Sequence, residues 1–323
     1  MRLTLLDMTQ QILSAMDSDE VNSISDTVES YQVANLIRQV FYDIASDIEI
    51  DGLGNIYICG STGTSGFIKK LNADGSEAWT KNIPSYVYRI DVNSNGEFVV
   101  GFDINTSAET GTIRKYNQSG NESWTISVSS IALQDLALDS SGNVYVGGFS
   151  ISGIINIHVK KYLSATGSLS WTKTDNAGNW GGTGRVITNA KDEIIAVFNA
   201  GNRSIFFRKF NSVGQVMASS TGSGTFTNAY FEPNIESLCL DKNDNVFIGG
   251  NESGFNTKNL YLLVTNPSGT VAYENKNSNK SISATGIGVD TSGSVYMSGS
   301  TAIYVYVNRN YLTKYELVGS GFL

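Results

Sequence analysis

One histidine, two cysteines and three prolines in 323 residues leave little material for the common site chemistries. The single histidine, His158, lies in the alternating run INIHVKKY, and any metal centre or Ser–His dyad would rest on it alone. It reads as a strand residue. Cys59 (IYICG) and Cys239 (SLCLD) fall inside apolar, strand-like runs rather than turns. Two such cysteines make no disulfide framework and read as small buried hydrophobes. No apolar run reaches the ~18 residues of a membrane-spanning helix. The opening MRLTLLDMTQQ breaks too early for a secretory core, so the expectation is a chain used without export by the general secretion route.

Charge is sparse, at 16% of residues, and uneven. Residues 1–46 hold seven acids and two arginines, which is −5 of the total −8. An acidic arm on a weakly acidic body repels phosphate backbones, which excludes direct nucleic-acid binding by charge. A hydrophobic content of 41% excludes a disordered chain.

What the chain does have is glycine, 33 copies, and a repeat. IDGLGNIYICG, VNSNGEFVVG, LDSSGNVYVGG, ITNAKDEIIAVF, LDKNDNVFIGG and VDTSGSVYMSG align on Asp51, Asn93, Asp139, Asn189, Asp241 and Asp290, which lie 42–52 residues apart. A second motif follows each: KKLNADG, RKYNQSG, KKYLSATG, RKFNSVG, LVTNPSG and TKYELVG. Asp or Asn opens a turn by bonding its own backbone, Gly or Asn accepts positive φ, and β-branched and aromatic runs flank them as strands. Periods of 40–50 residues built from short strands mark propeller blades. The expected fold is mainly β: a six-bladed β-propeller over 47–323, preceded by a short N-terminal helical pair over 1–46. In the third repeat the strands are DLAL, VYVGG, IHVKKY and LSWTK. The sixth repeat stops where the others begin an outer strand, with 47–50 (DIEI) serving as the first blade's inner strand.

Three of the four tryptophans recur at one place in the repeat: DGSEAWTK, SGNESWTI and TGSLSWTK carry Trp79, Trp124 and Trp171, followed by Ala218 and Tyr273. A device that recurs is a packing device, so Trp79, Trp124, Trp171 and Tyr273 are assigned to wedges between blades. Trp180, in NAGNWGGTG, is off the repeat and is a candidate surface contact.

Residues 1–46 follow a different period. Leu5, Met8, Ile12 and Met16 are spaced for a helix over about 4–16. Asp26 with Glu29 opens a second, to about residue 45, lined by Val28, Val33, Leu36, Ile37, Val40, Phe41 and Ile44. Two short helices cannot bury such a stripe alone, so Leu5, Met8, Ile12, Val33, Leu36, Ile37, Val40 and Phe41 are the expected assembly contact.

Two resemblances sit on these motifs. The D-x-x-G-N-V-Y-V-x-G pattern resembles the bacterial β-propeller repeat called SBBP, and the G-x-x-x-W ending is similar to the tryptophan-docking motif of quinoprotein-type propellers. The run LLDMTQQILSAMDSDEVNSISDTVESYQVANLIRQVFYDI resembles the opening of tailed-bacteriophage head–tail adaptors, or tail tubular protein A. That resemblance implies a non-enzymatic virion protein of the neck or tail, assembled in the host cytoplasm. It would form a ring or enter in several copies, docked on portal, adaptor or tail-ring proteins, with the propeller displayed outward. The alternative is a tail adhesin binding host surface glycan at a propeller face.

Catalysis finds no constellation. A sialidase Asp-box fails in ADGSEAW, where Asp74 and Gly75 are adjacent and Trp79 comes one residue late. The cofactor-holding arginines and calcium ligands of quinoprotein dehydrogenases are not placed. DKNDN (241–245) lacks the glycine and distal Glu of a calcium loop. No catalytic residue, metal ligand or cofactor is assigned.

Overall fold

A computed structural model describes residues 44–62, 65–151, 154–178, 184–200, 204–222, 232–253, 258–277, 282–289, 293–303 and 307–315. Both expected helices fall on 1–43, outside the described residues, as do Trp180 and Asp290. The second helix was expected to reach about residue 45, and here the expectation is corrected: Ile44 and Ala45 already belong to a strand. Their pairing with Ser61 and Gly60 of the next strand overrides the helical spacing.

The described strands form antiparallel meanders. The first sheet is β1 (Ile44–Ile50), β2 (Ile56–Ser61), β3 (Gly66–Leu71) and β4 (Glu77–Ile83). The next is β5 (Val87–Val92), β6 (Phe98–Asn105), β7 (Thr110–Tyr116) and β8 (Glu122–Ser129). Then come β9 (Ala132–Leu138), β10 (Val144–Ile151), β11 (Ile155–Tyr162) and β12 (Leu169–Gly178). They are followed by β13 (Gly184–Thr188), β14 (Ile194–Ala200), β15 (Ser204–Phe210) and β16 (Val216–Gly222). The fifth sheet is β17 (Glu232–Leu240), β18 (Val246–Ser253), β19 (Lys258–Thr265) and β20 (Val271–Asn277). The last has three strands, β21 (Ile282–Val289), β22 (Val295–Ile303) and β23 (Val307–Tyr315). Repeated four-stranded meanders are propeller blades. The six-bladed expectation is corrected to five complete blades and a three-stranded sheet: the described residues hold no fourth strand beside β23.

By compactness the chain divides after Gly96. In the first unit Ile58, Phe67 and Leu71 bury one face of the sheet. A register shift between Ala45 and Asp47 turns Asp47 so that its Oδ2 accepts the Ile90 N–H at 3.1 Å.

The second unit is held by apolar seams between successive sheets. Val99, Ile113 and Val128 of one pack with Leu136, Leu138, Val144 and Val146 of the next. Tyr145, Ile157 and Val159 meet Val186, Ile194, Phe198, Phe206 and Phe210 across the following seam. Ile195, Val197, Ile205 and Phe207 then meet Ile235, Val246 and Ile248. Gly147 is required where it is, since a Cβ there would stand 2.6 Å from Val186 and 3.0 Å from the Phe198 ring. The inner strands are also linked through the residue four before each turn anchor. Asp135 Oδ2 accepts the Val186 N–H at 2.9 Å, Arg185 Nε donates to the Glu236 carbonyl at 2.7 Å, and Ser237 Oγ accepts the Ile287 N–H at 3.1 Å.

Candidate functional site

The polar side chains of the repeat converge on the turn between inner strand and second strand. Asp139 opens one such turn. Its Oδ1 accepts the N–H groups of Ser141 (3.1 Å) and Asn143 (2.8 Å), while Oδ2 takes Asn143 Nδ2 (2.8 Å) and the Tyr145 hydroxyl (2.9 Å). Lys161, from β11, brings its ammonium to 3.7 Å from the same Oδ2. Asp51 repeats the plan with Leu53, Asn55, Tyr57 and Lys70, the lysine at 4.0 Å. Burial pushes the Asp51 carboxyl up, but the Asn55 amide, the two backbone N–H groups and Lys70 outweigh it and hold it below the usual range. The tyrosines go the other way: burial, then the facing aspartate, raises Tyr57 and Tyr145 well above the ordinary phenol value.

In the fourth blade acid and amide trade places. Asn189 opens the turn, its Oδ1 accepting the N–H groups of Lys191 and Glu193, each at 3.0 Å. Glu193 stands where Asn143 stood, its Oε2 accepting from Asn189 Nδ2 at 2.7 Å and lying 2.6 Å from Lys209 Nζ. Burial raises this carboxyl, yet Lys209 and Asn189 bring it net below the usual range. Ile195 takes the place that Tyr145 holds in the third blade, since with Asn189 as anchor no aspartate oxygen is there for a hydroxyl to bind. In the second unit Lys115 likewise finds Glu97, at 3.3 Å, and donates to Ser164 Oγ at 2.5 Å. These lysines are nearly buried, 2% exposed at Lys115 and 7% at Lys161 and Lys209. Sequence reading misses them because lysine normally marks a solvated face; the K/R-K pair in the first four second motifs was the available signal.

The tryptophans sit on the outer strands, half-buried. Trp124 donates its indole N–H to the Ser164 carbonyl of the next blade at 2.8 Å, and Trp171 does so to Ser212 at 3.3 Å. A Cβ on Gly167 would come within 2.9 Å of the Trp124 ring, and one on Gly214 within 3.0 Å of Trp171. Trp79 meets Tyr57 edge-on at 6.2 Å within the first unit. Tyr273 packs against the cluster of Phe247, Leu262 and Val264 with Val295 and Met297. Where Ala218 replaces tryptophan, Phe207 fills the space, and Gly269 of the next turn would place a Cβ 2.4 Å from its ring. The arm residues Leu5, Met8, Ile12, Val33, Leu36, Ile37, Val40 and Phe41 lie outside the described residues.

His158 is the remaining chemical candidate. Thr174 stands opposite it in register on β12, with Oγ1 2.9 Å from Nδ1, and Ser150 Oγ on β10 lies 2.8 Å from Nε2. Burial, then Lys160, lowers the imidazole pKa despite Glu109, so the ring is neutral near pH 7. One nitrogen then donates and the other accepts. Near this triad Glu109 and Ser130 hold left-handed φ of 52° and 60°. Glu109 caps the Ile151 N–H, and Lys160 donates to the Ser129 carbonyl at 2.7 Å. A hydroxyl rather than a carboxylate orients the ring, so an imidazolium formed by taking the Ser150 proton would lack the charge that stabilises it in a hydrolase triad. The geometry suits holding three strands together or donating to a ligand better than nucleophilic attack. Ser150 and Thr174 were invisible to sequence reading because register on neighbouring strands brings them to the ring. Among the described residues no cluster of three or more His, Cys, Asp or Glu side chains could hold a metal ion.

No family model and no curated relative matches the chain. Solved structures do. A catalytically inactive virginiamycin B lyase from Staphylococcus aureus with quinupristin superposes with a TM-score of 0.50 at 12% identity, over 84% of each chain. A protein of unknown function from Bacteroides caccae gives 0.48 at 14% identity, over 77% of this chain and 83% of its own. BamB from Moraxella catarrhalis gives 0.43 at 16%, over 79% and 82%. At such identities the similarity speaks to fold, which is that of a β-propeller.

Proposed function

We propose that the chain is a non-enzymatic structural protein of a tailed-bacteriophage particle, attached at the neck or tail through residues 1–46 with the propeller displayed outward. The observation that carries this reading is the run over 5–44, with its apolar stripe and its resemblance to head–tail adaptors. The body adds a consistent feature: the turn carboxylates and lysines are occupied by one another and by backbone, the mark of a scaffold rather than of a site that turns over an external substrate. The sixth repeat fits a further blade. Partners are portal, adaptor or tail-ring proteins and other copies of this chain, bound by burial of Leu5, Met8, Ile12, Val33, Leu36, Ile37, Val40 and Phe41. Replacing Leu36 and Phe41 by Asp puts charges into that contact at a cost of several kcal/mol. Particles assembled with this variant should lack the protein although the chain folds; normal incorporation would sink the reading.

A second reading, host-glycan binding, draws on the first unit, where Tyr86 and Tyr88 are 40% and 38% exposed, aromatic surface of the kind that stacks on sugars. A glycan array run with the wild type and a Tyr86→Ala/Tyr88→Ala variant separates the two readings.

A further inference from the structure

We propose that Lys209 and Asn189 condense into an intramolecular isopeptide bond, with Glu193 moving the protons. Three groups in the fourth blade come together around one carboxylate oxygen. Lys209 Nζ, the nucleophile, lies 2.6 Å from Glu193 Oε2. Asn189 Nδ2, the leaving nitrogen, donates to that same oxygen at 2.7 Å, so one carboxylate touches both the attacking and the departing nitrogen. Asn189 Oδ1, where negative charge would collect, already accepts two backbone N–H groups, from Lys191 and Glu193. Fixed donors aimed at a developing oxyanion are the largest single aid to acyl transfer. Lys209 and Asn189 are both 7% exposed, so water competes poorly for the amide carbon.

The steps balance without any co-reactant. The Lys209 ammonium passes a proton to Glu193 along their short contact; the ion pair is the resting state, and burial reduces the cost of leaving it because the transfer discharges both ends. The free amine attacks Asn189 Cγ, giving a tetrahedral centre whose oxyanion rests on the two N–H groups. Glu193 returns its proton to Nδ2, the Cγ–Nδ2 bond breaks, and ammonia departs. The second Nζ proton leaves with it as ammonium, and the Glu193 carboxylate is restored. A Cγ–Nζ amide has replaced a Cγ–Nδ2 amide, with no change of oxidation state.

The other blades show why the reaction belongs here. In the third blade the turn residue is Asp139, a carboxylate and a poor acyl acceptor, with Lys161 at 3.7 Å. The first has Asp51, with Lys70 at 4.0 Å. The fifth has Val264 in the lysine position and no amine. The second has the same residue types, Asn93, Glu97 and Lys115, but its amine stands 3.3 Å from the carboxylate and is drawn to Ser164 Oγ at 2.5 Å, whereas in the fourth the amine lies 2.6 Å from the carboxylate that also holds the amide.

Intact-mass measurement of the purified full chain, with a cooperative thermal melt as proof of folding, tests this directly. The expected mass is about 17 Da below that of the sequence, the ammonia lost when lysine takes the place of the amide nitrogen. Tryptic digestion should yield residues 186–191 joined to residues 209–242, since Lys209 would no longer be cleaved. Lys209→Arg and Glu193→Gln should each restore the full mass. A folded wild-type chain at full mass overturns the proposal. So does a 17 Da loss confined to residues 186–191, which would be a cyclised asparagine without a link.

Discussion

The indole nitrogen of Trp124 reaches into the following blade and donates to the carbonyl of Ser164, 2.8 Å away, while Gly167 of the same turn lies against the ring. The tryptophan thus completes the turn of its neighbour. Trp124→Ala should cost about 3 kcal/mol, the low end for loss of a large ring because this one is half-buried. Trp124→Phe, which keeps a ring but drops the N–H, should cost about 1–2 kcal/mol. Urea unfolding of the two variants separates the contributions, and an unchanged midpoint for Trp124→Ala would remove the residue from the list of stabilising contacts.

The exchange of acid and amide between the third and fourth blades can be tested in the third. Asp139→Asn leaves Lys161 buried without its carboxylate and should cost about 3–5 kcal/mol. Adding Asn143→Glu rebuilds the arrangement of Asn189, Glu193 and Lys209 and should recover more than half of that loss. Additive damage in the double variant would mean the two sites do not share the lysine.

Stability should fall at both ends of the pH scale for opposite reasons. Tyr57 and Tyr145 are raised in the fold above the free value of 10.0, so their contribution is whole below pH 10 and drains away as pH rises toward the folded values. Tyr145→Phe should flatten that alkaline limb. The Asp51 carboxyl is lowered from 3.8, so its contribution is whole above that value and is lost as pH falls through the lower folded one. Thermal melts across pH 2–12 show both limbs.

Two turns place aspartate where the others place glycine, with φ of 58° at Asp192 and 63° at Asp244. Glycine relieves the left-handed backbone at either position by about 0.5–1 kcal/mol. At Asp244 the loss is one bond from the 70% exposed Lys191, so Asp244→Gly should be neutral or slightly stabilising. At Asp192 the loss is two bonds to Ser140, through its N–H at 2.8 Å and its hydroxyl at 2.7 Å, so Asp192→Gly should destabilise. Opposite signs in parallel melts are the expected result.

Strand positions in the body were legible because turn anchors and alternation agree: the strands read in the third repeat fall within β9 to β12. The start of β1 was not. Ile44 continues a helical stripe, and only pairing with Ser61, a tertiary fact, makes it a strand. The buried lysines were hidden for a related reason. Nothing local distinguishes Lys161 from its exposed neighbours; what buries it is a carboxylate 22 residues earlier and the Ser212 carbonyl in the next blade, 2.9 Å away. Composition reached the neighbourhood of His158 but not its two hydroxyl partners, because a residue on an adjacent strand leaves no mark at a fixed spacing.

Asp139, Asn143 and Lys161 all belong to one blade, whereas Trp171 and the Ser212–Gly214 turn it rests on belong to two. A gene that grows by copying one repeat therefore inherits the first set intact and breaks the second at both ends of the copy. Phe207 filling the place of a lost tryptophan against Gly269 is what a mended join looks like. In such a chain a change within a turn can be answered inside the same copy, as Glu193 answers Asn189, whereas a change at a join has to be answered in the neighbouring one.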